Sequence, residues 1–156
     1  MWDLYRIKTR FSEKNLIVFV SPGGWKEWDG ETLRLRGLGG SENFSIRYGE
    51  KLADMGFDVI VFCNCEKDKL YNGVKYLKLD LYPEFISTYN VDIAIINRYH
   101  EYVPVTCLHN IKTYFVLHDT ARENDIIINH KNLAGVLCLS EWHKQNFLGY
   151  YPSCQH

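Results

Sequence analysis

Short apolar runs rich in Val and Ile alternate along the chain with segments whose apolar residues recur at helical spacing. That alternation predicts a parallel sheet covered by helices. Strands buried on both faces read as continuous hydrophobic stretches, and six segments fit: 16–21, 57–64, 74–79, 91–97, 113–118 and 135–140. The clearest helix spans 41–55, with Phe44, Tyr48, Leu52 and Met55 on one face and Gly56 as its left-handed stop. A second helix follows Asp80, has Pro83 near its start and reaches about Tyr89. The last opens at Ser140, a candidate N-cap, packs Trp142 and Phe147 into the domain and stops before Pro152. Over 124–132 the run Ile126-Ile127-Ile128 fits a helix and a strand equally. The expectation is one α/β domain over 1–156, Rossmann-like, with a mostly parallel sheet of about six strands and helices on both faces.

The connection between the first strand and its helix breaks the pattern. From Pro22 to Gly40 it is 19 residues long, where such connections usually take ~2–6. It holds six glycines, Trp25, Trp28, Arg34 and Arg36. Long connections in compact α/β domains often carry function.

Composition narrows the classes. Hydrophobic residues are 46% and charged residues 24%, which is globular. The net charge of −1 gives no electrostatic case for nucleic acid or an anionic membrane. No apolar run approaches the ~20 residues that span a bilayer, and the first residues lack the basic-then-apolar pattern of a secretory signal. A cytoplasmic location is expected. Five cysteines, an odd number, argue against a disulfide framework. Cys63-x-Cys65 raises a metal or redox pair, but the spacing is shorter than zinc sites use and further ligands are lacking nearby. Buried free thiols are the expected reading, and no metal site is expected.

Several segments can carry chemistry. Gly37-Leu38-Gly39-Gly40-Ser41-Glu42 opens the first long helix. Glycines allow close backbone approach, and the helix N-terminus offers unpaired N–H groups for a diphosphate. The same residues also fit a plain glycine-rich turn capped by Ser41. A dinucleotide fingerprint would need glycine at position 42, which is Glu, and a P-loop would need Gly-Lys-Ser/Thr, which does not occur. His118-Asp119 ends the strand Tyr114-Phe115-Val116-Leu117, at the sheet edge where α/β domains bind ligands. There His118 can hydrogen-bond a sugar hydroxyl or stabilise charge near an anomeric carbon; a simple strand-end histidine is the bland reading. Arg98 and His100 occupy the equivalent edge of the preceding strand, where exposed polar residues are also ordinary. Arg122 and Glu123 lie just beyond His118, and Ser140 offers a hydroxyl at another helix N-terminus. The remaining histidines share no spacing with acidic residues, and no Gly-x-Ser-x-Gly elbow marks a hydrolase.

Four motifs in order resemble the N-terminal, acceptor-side domain of GT-B-fold glycosyltransferases, the large retaining group that uses nucleotide sugars (family 4-like). Gly39-Gly40-Ser41-Glu42 resembles that family's Gly-Gly-small-Glu helix opening. Leu52-Ala53-Asp54-Met55-Gly56-Phe57-Asp58-Val59 is similar to its Leu-Ala-x-x-Gly-His-x-Val junction, with Phe57 replacing the common His. Leu117-His118-Asp119 resembles its His-Asp strand end, and Ser140-Glu141-Trp142-His143-Lys144 with Phe147 resembles its closing segment. Together they span about 16–152.

The resemblance implies transfer of a sugar from a nucleotide-sugar donor to an unidentified acceptor (glycan, lipid or protein) with retained anomeric configuration. It implies that Gly39, Gly40 and Ser41 approach the donor diphosphate and that His118 faces the reacting sugar. Trp25 and Trp28 would border the acceptor, and Arg98, His100, Asp119, Arg122 and Ser140 are further cleft candidates. No metal and no cofactor beyond the nucleotide co-substrate are implied. The family's C-terminal domain, which holds most donor contacts, has no counterpart in these residues. The expectation is a fragment completed by that domain in cis, or by a donor-binding chain in trans. A non-catalytic nucleotide- or partner-binding module is the alternative, and a nicotinamide-dependent oxidoreductase is disfavoured by the missing glycine fingerprint.

Overall fold

A computed structural model describes residues 15–121 and 133–154. The chain forms β1 (Leu16–Ser21), α1 (Thr32–Leu35), α2 (Gly40–Asp54), β2 (Asp58–Cys63), β3 (Lys69–Tyr71) and β4 (Val74–Lys78). It continues through a 3-10 turn (Leu79–Leu81), α3 (Tyr82–Thr88), β5 (Ile93–Asn97), α4 (Tyr102–Leu108) and β6 (Lys112–Leu117). After β7 (Leu133–Cys138) come α5 (Glu141–Tyr150) and a 3-10 turn (Pro152–Cys154).

The strands make one sheet in the order β3-β4-β2-β1-β5-β6-β7. Every pairing is parallel except β3 with β4. Setting β3 aside, the six parallel strands run third-second-first-fourth-fifth-sixth, the doubly wound order of Rossmann-like domains. The expected α/β class is therefore what the chain adopts, with a short antiparallel strand added at one edge.

Alternation along β1 explains the layers. Leu16, Val18 and Val20 point into one core with Tyr82, Phe85 and Ile86 of α3, Val103 and Cys107 of α4, and Phe147 of α5. Ile17 and Phe19 point into the other with Ile46 of α2 and Trp28 of the long connection. Each strand residue thus has apolar cover whichever way it points, which is why β1 is buried at all six positions.

The helix α2 lies on the sheet by a face that only partly matches the expected one, Phe44 and Leu52 packing partly buried against the core. Ser41, Ser45, Ile46 and Gly49 are buried, whereas Tyr48 and Met55 are exposed. Small side chains let the helix axis come close: a Cβ on Gly49 would stand 3.5 Å from Val74 Cγ2. Periodicity of large apolar residues locates a face only when the neighbour leaves room for them. Its stop is as expected, with Gly56 at φ +94°.

Other differences are local. The strands expected over 91–97 and 135–140 form as Ile93–Asn97 and Leu133–Cys138. Asp92 instead uses its carboxylate to accept from Leu16 N at 2.7 Å, and Ser140 is taken up as the cap of α5, its Oγ accepting from His143 N at 3.1 Å. The elements α1, β3 and α4 carry no sequence expectation. Trp142, expected in the core, is exposed, and Phe147 alone of that pair is buried. The ambiguous run 124–132 lies outside the described residues. No helix among the described residues is long and apolar enough to cross a membrane.

Candidate functional site

Strand order reverses between β1 and β5, and connections leaving their carboxyl ends diverge to opposite faces, opening a crevice at that point. A cleft of about 810 Å³ occupies it. One wall is the long connection after β1, from Gly24 to Lys26 and from Arg36 to Gly39, continuing into the first residues of α2. Arg98 and Tyr99 after β5, His118 and Asp119 after β6, and Leu139 after β7 form the other.

The long connection is held open by one buried indole. Trp28 is 1% exposed, its Nε1 donates to Gly23 O at 2.6 Å, and its backbone N donates to Asn64 O at 2.9 Å. Asp29 then accepts from the backbone N of Glu31 and Thr32, turning the chain into α1. Lys69 of β3 pairs with Asp29 at 3.1 Å and with Glu31, fixing the turn to the sheet edge. Expected beside the acceptor, Trp28 instead belongs to the core, because its large apolar ring fills the space over Phe19 and Val61. Trp25 stands fully in solvent on the cleft wall.

The opening of α2 sits over the reversal point. Its first turn offers the N–H groups of Gly40, Ser41 and Glu42, since the first intrahelical bond is Asn43 N to Gly39 O at 3.0 Å. Glu42 is buried, and its carboxylate covers Gly39: a Cβ there would collide with Oε2. Ser41 Oγ donates to the same carboxylate at 3.1 Å. Nothing stands within 4 Å of the corresponding position on Gly40. Of the three expected diphosphate residues, Gly40 therefore has its Cα open while Gly39 is screened by a negative charge.

Beneath this turn lies a polar anchor that sequence reading misses. Asn97, the last residue of β5, is 1% exposed. Its Nδ2 is 2.7 Å from Ser41 O, 2.7 Å from Ser45 Oγ and 3.1 Å from Ser21 Oγ, tying β1, β5 and α2 together. An amide ending an otherwise apolar strand, with serines four apart on the first long helix, is the available signal.

His118 is half-buried, and its Nε2 is enclosed with no hydrogen-bond partner. Phe44 meets the ring edge-on at 5.6 Å between centroids. Burial, and then the Arg98 guanidinium, hold the imidazole below its ordinary pKa of 6.5. The ring is therefore neutral at pH 7 and lines the cleft, with its Nε2 closed to solvent.

Arg98 adopts φ +72°, an uncommon conformation for a side-chain-bearing residue. Its Nε donates to Asp119 Oδ2 at 2.8 Å, with a longer second contact of 3.5 Å to Oδ1. Both side chains are largely exposed, so the pair orients the rim more than it stabilises the fold. Lys26 and Arg36 add positive charge to the opposite wall, and Arg36 donates to Glu27 O.

His143, part of the closing motif, acts one layer behind. It is buried, its Nε2 lies 2.7 Å from Asp119 O and its Nδ1 accepts from Leu139 N at 3.4 Å.

The structure thus brings Gly39, Gly40, Ser41, Trp25, Arg98, His118 and Asp119 onto one cleft. It does not bring the others. His100 is exposed before α4, where its carbonyl accepts from Val103 N. Ser140 faces a separate groove along β7, and its hydroxyl is occupied as the α5 cap. Arg122 and Glu123 lie outside the described residues. No cluster of three or more His, Cys, Asp or Glu suited to a metal ion occurs among the described residues. Comparison with protein-family models, curated proteins and solved structures gives no match for this chain.

Proposed function

We propose that the cleft is the acceptor-side half of a glycosyl-transfer site, served by a nucleotide-activated sugar whose nucleotide is held mainly by another domain or chain. The observation that carries this reading is His118. It is a neutral imidazole that lines the open cleft from the carboxyl end of β6, sharing it with the N-terminus of a 15-residue helix. The four-motif resemblance to retaining GT-B enzymes supplies the reaction class.

In this reading the donor diphosphate meets the N–H groups at Gly40 and Ser41, where the helix dipole favours negative charge. It stays off Gly39, whose approach the Glu42 carboxylate covers. Lys26 and Arg36 offset that carboxylate from the same wall. His118 hydrogen-bonds the sugar being transferred, where charge develops as the leaving diphosphate departs. Trp25 offers an aromatic face to the acceptor. The same Glu42 carboxylate weighs against a dinucleotide oxidoreductase, whose pyrophosphate needs that position free.

The test is a calorimetric screen of sugar nucleotides against this chain and against the complete product of its gene, followed by an assay for sugar transfer or donor hydrolysis. Transfer by the complete product, lowered about 100-fold or more by His118→Ala with the melting temperature kept, supports the reading. Turnover unchanged by that substitution removes His118 from the mechanism. Binding without any turnover favours a non-catalytic nucleotide-binding module.

A further inference from the structure

The pair Cys63 and Cys65 is used by neither the cleft nor its chemistry. Cys63 ends β2 and Cys65 follows two positions on, after a bend at Asn64. Both are buried in the core cluster that holds Trp28. The neighbouring Cys63 thiol holds Cys65 below its ordinary pKa, whereas burial, and then Cys65, pushes Cys63 up. The pair is therefore asymmetric: Cys65 ionises more readily than Cys63.

Access comes from a second open cleft of about 580 Å³, whose walls include Cys63, Cys65, Pro22, Lys78 and Tyr102. There Cys65 keeps 5% exposure to solvent, while Cys63 has none. Cys107 is buried in the opposite core, and Cys138 and Cys154 line the groove along β7, so neither sulfur of the pair has another cysteine in its own cluster.

We propose that Cys63 and Cys65 form a redox dithiol that closes to an intramolecular disulfide under hydroperoxide and reopens with a thiol reductant. The Cys65 thiolate attacks one peroxide oxygen and breaks the O–O bond, becoming a sulfenic acid while the departing hydroxide is protonated to water. The Cys63 sulfur then attacks the Cys65 sulfur, and the expelled hydroxide takes the Cys63 proton as a second water. The dithiol gives up two electrons and two protons, and the peroxide becomes two waters. Closure also removes the Cys63 S–H that donates to Trp28 O at 3.4 Å, one of the ties holding the cleft's long connection. The inference is independent of the proposed glycosyl transfer.

The experiment exposes the folded chain to hydrogen peroxide, denatures it, alkylates it and reads intact mass and fragmented peptides. Five alkylated thiols are expected before treatment, and two fewer after it. The peptide holding Cys63 and Cys65 should be lighter by two hydrogens, and dithiothreitol should restore it. Cys65→Ser and Cys63→Ser should each lose the reversible closure, with circular dichroism confirming that the variants fold. The wild-type peptide map decides the matter if either variant does not. Five alkylated thiols after treatment, a link through any other cysteine, or oxidation of Cys65 that dithiothreitol does not reverse would overturn the proposal.

Discussion

His143 in α5 and Asp119 after β6 are joined by a hydrogen bond of 2.7 Å from the imidazole Nε2 to the backbone carbonyl oxygen. Because Nδ1 accepts from Leu139 N, the proton is on Nε2 and the ring bridges two strand ends. This bridge holds the backbone of the residue that pairs with Arg98. His143→Ala leaves a carbonyl and an N–H without these partners, at a cost of about 2 kcal/mol. Urea unfolding should show that loss, and ligands that contact Asp119 should bind more weakly. Unchanged stability would mean that the bridge is not maintained in solution.

Asn97 should be more sensitive still. Its amide N–H groups face a carbonyl and two hydroxyls across three elements. Asn97→Asp places an acceptor against Ser41 O in a site closed to water, and should cost about 3 kcal/mol or more. Asn97→Ser, small and able to donate, should lose less. Equal losses for the two would show that volume, not donation to Ser41, is what the site requires.

How much of this is legible in the sequence depends on what each residue's role advertises. Runs such as 16–21 and 57–64 announce buried parallel strands because both faces need apolar side chains and little that is polar competes. The buried face of α2 is half legible: Phe44 and Leu52 mark it, while Ser45 and Gly49 pack by being small and leave no apolar signal. Trp28 reads as a cleft residue only through the resemblance, which implies that the long connection borders the acceptor. Its burial depends on the gap over Phe19 and Val61, which only the folded sheet creates. His118 and Gly40 are legible because strand ends and helix starts have fixed places relative to a doubly wound sheet. Asn97 and His143 are not, since each bonds to groups far away in sequence.

His118 makes the pH dependence specific. The folded chain holds its imidazole below the ordinary pKa of 6.5, through burial first and Arg98 second. The unfolded chain therefore takes up its proton at higher pH than the folded chain does. Stability contributed by this site is present above 6.5 and is lost as pH falls through the folded pKa. His118→Gln should flatten the fall in urea midpoint between about pH 7.5 and pH 5 relative to wild type. A steeper fall in the variant would reverse the sign and place His118 among groups that gain from protonation.

One substitution at two glycines should have opposite effects on the same connection. Gly24 has φ +117°, and a Cβ there would stand 2.7 Å from Trp28 Cδ1 and 2.9 Å from Nε1. Trp28 has no room to yield, since it is 1% exposed and bonded to Gly23 O at 2.6 Å. Gly24→Ala therefore meets both a strained backbone and a fixed ring, and should cost about 2–4 kcal/mol. Gly37, on the same cleft wall, has no left-handed φ, and nothing stands within 4 Å of the place a methyl group would take. There alanine only restricts the unfolded chain, and Gly37→Ala should leave stability unchanged or raise it by about 0.4–1 kcal/mol. Parallel urea titrations of the two variants check the contrast. A tolerated alanine at Gly24 would mean that Trp28 is not seated as described, and with it the cleft wall that Trp28 supports.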